Sequence, residues 1–370
     1  MYVLRQKSEE MKNLVKLFLS LIIAALMGRM ANAQQQYSDS PTSEIDLLLK
    51  KIDTILKKEH MPGLMISIVK KDSILFSSGL GYADLEQKTP TDSTTQFHLA
   101  SVTKFFVAMG IQKLIAEGKL NLDDRLQAIA PEIPYTNKWE PTHPVRLVHI
   151  LEHTAGFEDI QLNKMVNTTG EPLKGLNAVE SVEYSLNSRW EPGKMMSYSN
   201  PGYNVLGYII EKLSGVPWDQ YINQVLLNPL EMNHTLFDLT GESRQTYAKG
   251  YDFRDGSYSL LPFYTPGSNG ASSALVSNAS DMAKFLHFLL NPDNYQSIDL
   301  LSKNDLLAME KVHSTLASQK GLHTGYALGN DLFPNNKKVT FRGHNGKGEG
   351  FSSWIFYNRE AGLLVSINVF

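Results

Sequence analysis

His98–Gly110, HLASVTKFFVAMG, is the stretch on which the reading of this chain turns. Lys104 stands three residues after Ser101, where an apolar run begins. The first turn of a helix favours Asp or Glu, because its N-terminal end carries the positive end of the dipole. Lys104 faces that positive end and is bordered by Phe105, Phe106, Val107 and Met109. Burial and the helix field both disfavour an ammonium, so the spacing predicts a neutral amine here. Positions i and i+3 are neighbours on a helix, which puts Lys104 within reach of the Ser101 hydroxyl. A neutral amine is a competent base for a serine nucleophile, and the N–H groups of a helix start stabilise an oxyanion. The plainer role for Ser101 is a helix cap. S-x-x-K is a weak pattern alone and recurs at Ser67–Lys70. That copy lies in a strand-like run, where i and i+3 point to opposite faces.

Outward from this stretch, the helix runs to Gly118, a residue suited to ending it. Upstream, 44–59 carries Ile45, Leu48, Leu49, Ile52, Ile55 and Leu56 at helical spacing, and Pro62-Gly63 breaks it. Residues 64–84 read as a β-hairpin around Lys71-Asp72. Helices are expected over 145–156, over 200–215 with Asn200 as cap and Pro201 at the first position, over 217–230, and over 277–291. The end returns to strands at 337–346, 350–358 and 363–370. Strands at both ends with helices between predict an α+β fold, an α/β sandwich. One antiparallel sheet is drawn from both chain ends and flanked by helices, with a mainly helical region inserted.

The 370 residues carry a formal net charge of −3 and no cysteine. The near-neutral balance is not that of a nucleic-acid binder. The lack of cysteine excludes a thiol nucleophile, thiolate metal sites and disulfides. Met11-Lys12-Asn13 leads into an apolar run over 14–28 and then Ala31-Asn32-Ala33. This reads as a secretory signal peptide over 1–33 with Met11 as initiator, followed by a linker over 34–43. The expectation is an exported protein, periplasmic or secreted, with no membrane-spanning segment after cleavage and one domain over 44–370.

Two further motifs lie downstream. Tyr198-Ser199-Asn200 stands in a loop just before a helix, where side chains project into a cleft, and Asn200 is also a natural cap. Y-x-N recurs at Tyr135 and Tyr221 without that setting. His344-Asn345-Gly346 lies on a strand with Gly343, Gly348 and Gly350, so another backbone or a ligand approaches closely there. In this order, S-x-x-K, Y-x-N and H-x-G resemble the motifs of the serine β-lactamase and penicillin-recognising hydrolase family. The class C-like branch, with its esterase and D-peptidase relatives, is the nearest in pattern. Family-like blocks extend from about Glu44 to the end, among them EGKLNLDDRL, VHILEHTAGF and GASSALVSNASDMAKFL.

The resemblance implies a β-lactamase/transpeptidase-like fold and no cofactor or metal. It implies Ser101 as the acylated nucleophile, Lys104 as its base partner and Tyr198 as proton shuttle, with the choice of base left open between the last two. Asn200, His344 and Gly346 would contact the substrate, a small molecule or peptide. The oxyanion would sit on the N–H groups of Ser101 and Lys347. Class C enzymes begin the third motif with a lysine that holds the substrate carboxylate. A mostly neutral His344 anchors an anion less well, which favours an esterase or D-amino-acid peptidase over an efficient β-lactamase. The alternative is a penicillin-binding sensor or pseudoenzyme that turns over slowly. The family also closes its sheet with a C-terminal helix, so a segment is expected beyond Phe370. A rival motif is His149-x-x-Glu152-His153, the inverted zinc-peptidase signature, with both histidines on one helix face and Glu231 as a third ligand.

Overall fold

A computed structural model of the chain describes residues 41–161, 172–240, 247–262, 266–267, 269–322, 325–335, 339–348, 350–361 and 363–369. The expected signal peptide lies outside the described residues, as does most of the linker. One unit ends at Met61. Its helix α1 (Pro41–Lys58) starts three residues before the expected Glu44, with Glu44 in its first turn and Lys57 and Lys58 in its last. Those charges complement the helix dipole. Lys57 reaches Asp53 one turn back at 2.6 Å.

The second unit begins at Pro62. β1 (Gly63–Lys70) and β2 (Ser73–Asp84) form the expected hairpin, and β3 (Thr89–Pro90) follows. β4 (Phe97–Ala100) leads into α2 (Thr103–Ala116). The middle holds α3 (Leu147–Leu151), α4 (Asn200–Ser214), β5 (Leu236–Phe237) and the hairpin β6 (Tyr251–Arg254) and β7 (Ser257–Leu260). Then come α5 (Gly270–Ser273), β8 (Leu275–Ser277) and α6 (Ala279–Leu290). β9 (Asp331–Asn335), β10 (Val339–Gly348), β11 (Phe351–Asn358) and β12 (Leu363–Val369) end the chain.

Among the described residues, seven strands pair in the order β3-β2-β1-β12-β11-β10-β9. The two chain ends meet where β1 pairs antiparallel with β12, Leu64 opposite Val369 and Lys70 opposite Leu363. β1 is buried from Gly63 to Val69 without alternation, as expected of a strand covered on both faces. α6 covers β1 and β2. A smaller sheet, β4-β8-β5, lies beside the large one. α2 is buried from Thr103 to Leu114, so its apolar character has no solvent side. Phe106 stacks on Phe285 of α6 at 4.5 Å between ring centroids.

Two expected helices depart from a regular α-helix. α3 stops at Leu151 because His153 takes a left-handed φ of +57°. The helix expected over 217–230 is continuous from Trp218 to Leu227, widening after Ile222 into a π-helical turn, Asn223–Leu227. Among the described residues, no helix is long and apolar enough to cross a membrane.

Candidate active site

The turn between β4 and α2 presents Ser101. Ala100 holds a left-handed φ of +47°, a strained choice for a residue with a Cβ. Thr103 holds the turn, donating its hydroxyl to Ala100 O at 2.6 Å and accepting Leu275 N–H at 2.9 Å. α2 has no side-chain cap, so Ser101 does not serve as one.

Lys104 is fully buried. Its Nζ lies 3.2 Å from Ser101 Oγ, 2.7 Å from Asn200 Oδ1 and 2.8 Å from Ser272 O. Burial holds its pKa well below the ordinary lysine value, and Asp159 opposes this weakly. The ring of Tyr198 lies 4.8 Å from the same nitrogen. Burial raises the Tyr198 phenol far above its usual range, so it stays protonated, while a hydrogen bond with Ser101 pulls the other way. Asn200 is the first residue of α4, and Ser199 is the cap instead, its Oγ accepting Gly202 N–H at 3.2 Å. Asn200 joins Lys104 to Asp159, donating from Nδ2 to Asp159 Oδ1 at 2.8 Å.

The third motif meets the first through the backbone. A Cβ built on Gly346 would stand 2.2 Å from Leu99 O and 2.9 Å from Ser101 N. Only a glycine lets β10 pass this close to the serine turn. Lys347 follows, with an exposed side chain. His344 is placed differently from the expectation of direct substrate contact. It is 2% exposed, its Nδ1 lies 2.6 Å from Asn345 O, and its Nε2 lies 2.8 Å from Tyr326 Oη. With burial and Lys104 pushing its pKa down to about 3, the ring is neutral. It donates to Asn345 and accepts from Tyr326, so neither nitrogen is left for a substrate.

The zinc motif is taken apart by the fold. His153 lies beyond the end of α3, so the two histidines do not share a helix face. His149 Nδ1 accepts Arg146 N–H at 3.1 Å and His153 Nδ1 accepts Ser199 N–H at 3.1 Å. Glu152 accepts the backbone N–H groups of His313 at 2.6 Å and Ser314 at 2.7 Å. Ser67, in the second S-x-x-K, is buried and donates to Ala279 O at 2.6 Å, with Lys70 exposed.

Several residues around this cluster escaped the sequence reading. Tyr203 sits one turn after Asn200 and 5.6 Å from Lys104 Nζ, a spacing that helical periodicity alone makes visible. Tyr326, Asp159 and Ser272 come from distant segments and carry no local signal.

The buried histidines set an acid limit. Burial, then Arg146, lowers His149 to about 4. Burial, Lys104 and His344 hold His153 well below its ordinary value. An unfolded chain binds these protons near pH 6.5 and the folded chain does not, so their stabilisation is lost as pH falls below 6.5. Glu152, raised to about 7 by burial, acts oppositely, with its contribution fading as pH climbs toward 7. His149, His153 and the equally buried His344 all act in one direction and Glu152 alone in the other, so the histidines outweigh the carboxyl. The melting temperature is therefore expected to fall by several degrees between pH 6.5 and 4.5. A flat or rising profile would contradict the neutral-histidine assignment.

A sheet built from both chain ends, with half-buried Ser101, Tyr198 and Asn200 gathered around the buried Lys104, is the fold of β-lactamases and penicillin-binding proteins. The Beta-lactamase family model matches residues 48–369, and the chain belongs to that family. It is 30% identical over 337 residues to Protein flp of Staphylococcus aureus (strain NCTC 8325 / PS 47), covering 86% of this chain and 63% of that protein. It is 25% identical over 254 residues to a Beta-lactamase of Escherichia coli (strain K12), covering 68% and 63%. The chain thus spans under two-thirds of the length of these curated relatives. Among solved structures, the octameric penicillin-binding protein homologue from Pyrococcus abyssi superposes with a TM-score of 0.70 at 27% identity, over 88% of this chain and 73% of that one. FmtA from Staphylococcus aureus shares the fold at a TM-score of 0.69 and 20% identity, over 93% and 89%.

Proposed function

We propose that this chain is an exported serine hydrolase that works through an acyl-enzyme on an ester or amide. The observation that carries the reading is the surroundings of Lys104 Nζ. A neutral amine has two N–H donors and one lone pair. Asn200 Oδ1 at 2.7 Å and Ser272 O at 2.8 Å take the donors, which leaves the lone pair for Ser101 Oγ at 3.2 Å.

Lys104 then removes the Ser101 proton as Oγ attacks the substrate carbonyl carbon. Tyr198, held as a phenol, is the poorer base and the better donor, and passes a proton to the leaving group. Among the described residues, no acceptor engages the Ser101 N–H, and with the Lys347 N–H it forms the proposed oxyanion site. Asn200 keeps one Nδ2 hydrogen for a substrate amide. Water then releases the acyl group from Ser101.

Export rests on the leader-like residues 1–33. The substrate class rests on His344. A neutral ring with both nitrogens engaged supplies no cation for a substrate carboxylate, which favours neutral esters or D-amino-acid amides over efficient β-lactam turnover. A panel of short p-nitrophenyl esters, nitrocefin and D-Ala-D-Ala peptides ranks these substrates. A fluorophosphonate probe is expected to label the wild-type protein on Ser101. Ser101→Ala abolishes that labelling and Ser67→Ala does not. Labelling that survives in Ser101→Ala would overturn the nucleophile assignment.

A further inference from the structure

His153 holds the chain on both sides of Tyr198. Its carbonyl oxygen accepts the Ser197 N–H at 2.8 Å, and its Nδ1 accepts the Ser199 N–H at 3.1 Å. Between these two anchors the imidazole lies against the Tyr198 ring, 4.3 Å between centroids and tilted by 39°. Tyr326 and Tyr203 pack on the same imidazole at 4.5 Å and 5.2 Å. Because Nδ1 is the acceptor, the ring proton sits on Nε2, which is buried among the described residues without a hydrogen-bond partner. A buried N–H is left unsatisfied to keep Nδ1 facing Ser199, a cost that a ring present only for packing would not carry. The backbone adds a second cost. His153 holds a φ of +57°, outside the range a side-chain-bearing residue prefers.

The turn is anchored from its other side as well. Glu152 accepts three hydrogen bonds, from His313 N–H at 2.6 Å, Ser314 N–H at 2.7 Å and the Ser314 hydroxyl at 2.5 Å. Thr154 Oγ1 meets Ser314 Oγ at 2.7 Å. His153 therefore stands on a fixed support and passes that rigidity to the segment bearing the phenol.

We infer that His153 is the positioning residue of this site, using Nδ1 and its carbonyl oxygen to fix the Ser197–Ser199 segment and so the place of the Tyr198 hydroxyl. The inference rests on the Ser101–Lys104–Tyr198 reading for its effect on rate, but not for its effect on the conformation of Tyr198.

Two substitutions separate the acceptor from the ring. Asn supplies an Oδ1 near the place of Nδ1 and tolerates left-handed backbone, so His153→Asn keeps the acceptor and drops the ring. His153→Phe keeps a ring and drops the acceptor. The rate of fluorophosphonate labelling is followed together with the 13C-tyrosine signal of Tyr198, assigned with Tyr198→Phe. His153→Asn is expected to stay within about threefold of wild type, and His153→Phe to fall at least tenfold with a shifted or broadened Tyr198 signal. Should His153→Phe fail to fold, His153→Gly takes its place, since glycine relieves the φ of +57° while removing the acceptor. Equal rates and signals in all variants would overturn the inference, as would equal loss in Asn and Phe. If the wild-type protein takes no label, the nucleophile reading fails, and the Tyr198 signal alone decides for or against His153.

Discussion

Lys104→Met is expected to slow acylation of Ser101 by about a thousandfold while leaving the protein folded. Methionine matches the length of the lysine stem and fills the same buried volume. What it removes is the lone pair 3.2 Å from Ser101 Oγ, together with the N–H donors to Asn200 and Ser272. Two acceptors lose partners, which costs about 1–3 kcal/mol each at most. That loss is partly offset, because no titratable amine remains buried. The variant should therefore melt close to wild type and fail chemically. In the wild-type protein a base must be unprotonated to act, so acylation should rise with pH as Lys104 loses its proton, at a pH well below the ordinary lysine value. In Lys104→Met that rise should vanish from the residual rate. Lys104→Arg should be worse than Lys104→Met in both respects, since a guanidinium stays charged and cannot serve as a base. Stopped-flow labelling across pH with a neutral ester or phosphonate probe reads all of this. Acylation within tenfold of wild type in Lys104→Met would remove Lys104 from the role of base.

Gly346→Ala is the second large effect. The added methyl would sit 2.2 Å from Leu99 O and 2.9 Å from Ser101 N. Both neighbours are backbone atoms of the turn that presents the nucleophile, so neither has a rotamer through which to yield. Either β10 withdraws from β4 or the Ser101 turn is displaced. Both outcomes spoil the N–H geometry at Ser101, and a lost oxyanion donor costs about 10²–10³ in rate. We expect labelling to fall by at least a hundredfold and the melting temperature to drop by several degrees. Gly348→Ala is the contrast, because its methyl would meet the His98 side chain at 2.8 Å rather than the backbone of the serine turn. Its loss of labelling should be the smaller of the two. The pair is measured by labelling rate and thermal melt side by side. Equal, mild effects in both would mean that β10 does not confine the serine turn.

The legible part of this molecule is local. The two apolar, β-branched runs of 64–84 around Lys71-Asp72 specify a hairpin, and the apolar spacing with Gly215 specifies α4, because both patterns act between residues close in the chain. Ser101 and Lys104 are legible for the same reason, being one helical turn apart. The misreadings share another cause. The apolar pattern runs on past Leu151 and past Ile222, but His153 in a left-handed conformation ends one helix, and the other widens into a π-helical turn. Hydrophobic periodicity reports which residues are buried, not whether the backbone keeps a regular α-helical turn while burying them. The Asn200 cap was misplaced by one residue because Ser199 and Asn200 are both good caps. Tertiary pairing decided between them, with Asn200 drawn to Lys104 and Asp159.

The sequence by itself determined the order of elements, the union of both chain ends in one sheet, the three motifs and the odd placement of a lysine at an apolar helix start. Each depends on spacing along the chain, which folding does not alter. Only the tertiary structure decided that Lys104 divides its hydrogen bonds among Asn200, Ser272 and Ser101, and that His344 turns inward to Tyr326 and Asn345. It likewise spent His149, Glu152 and His153 on backbone N–H groups rather than on a shared face. The physical reason is that a buried polar atom takes whichever partner the packed interior brings within hydrogen-bonding distance. Those partners come from segments as far apart in sequence as Lys104 and Ser272, so no local pattern encodes them.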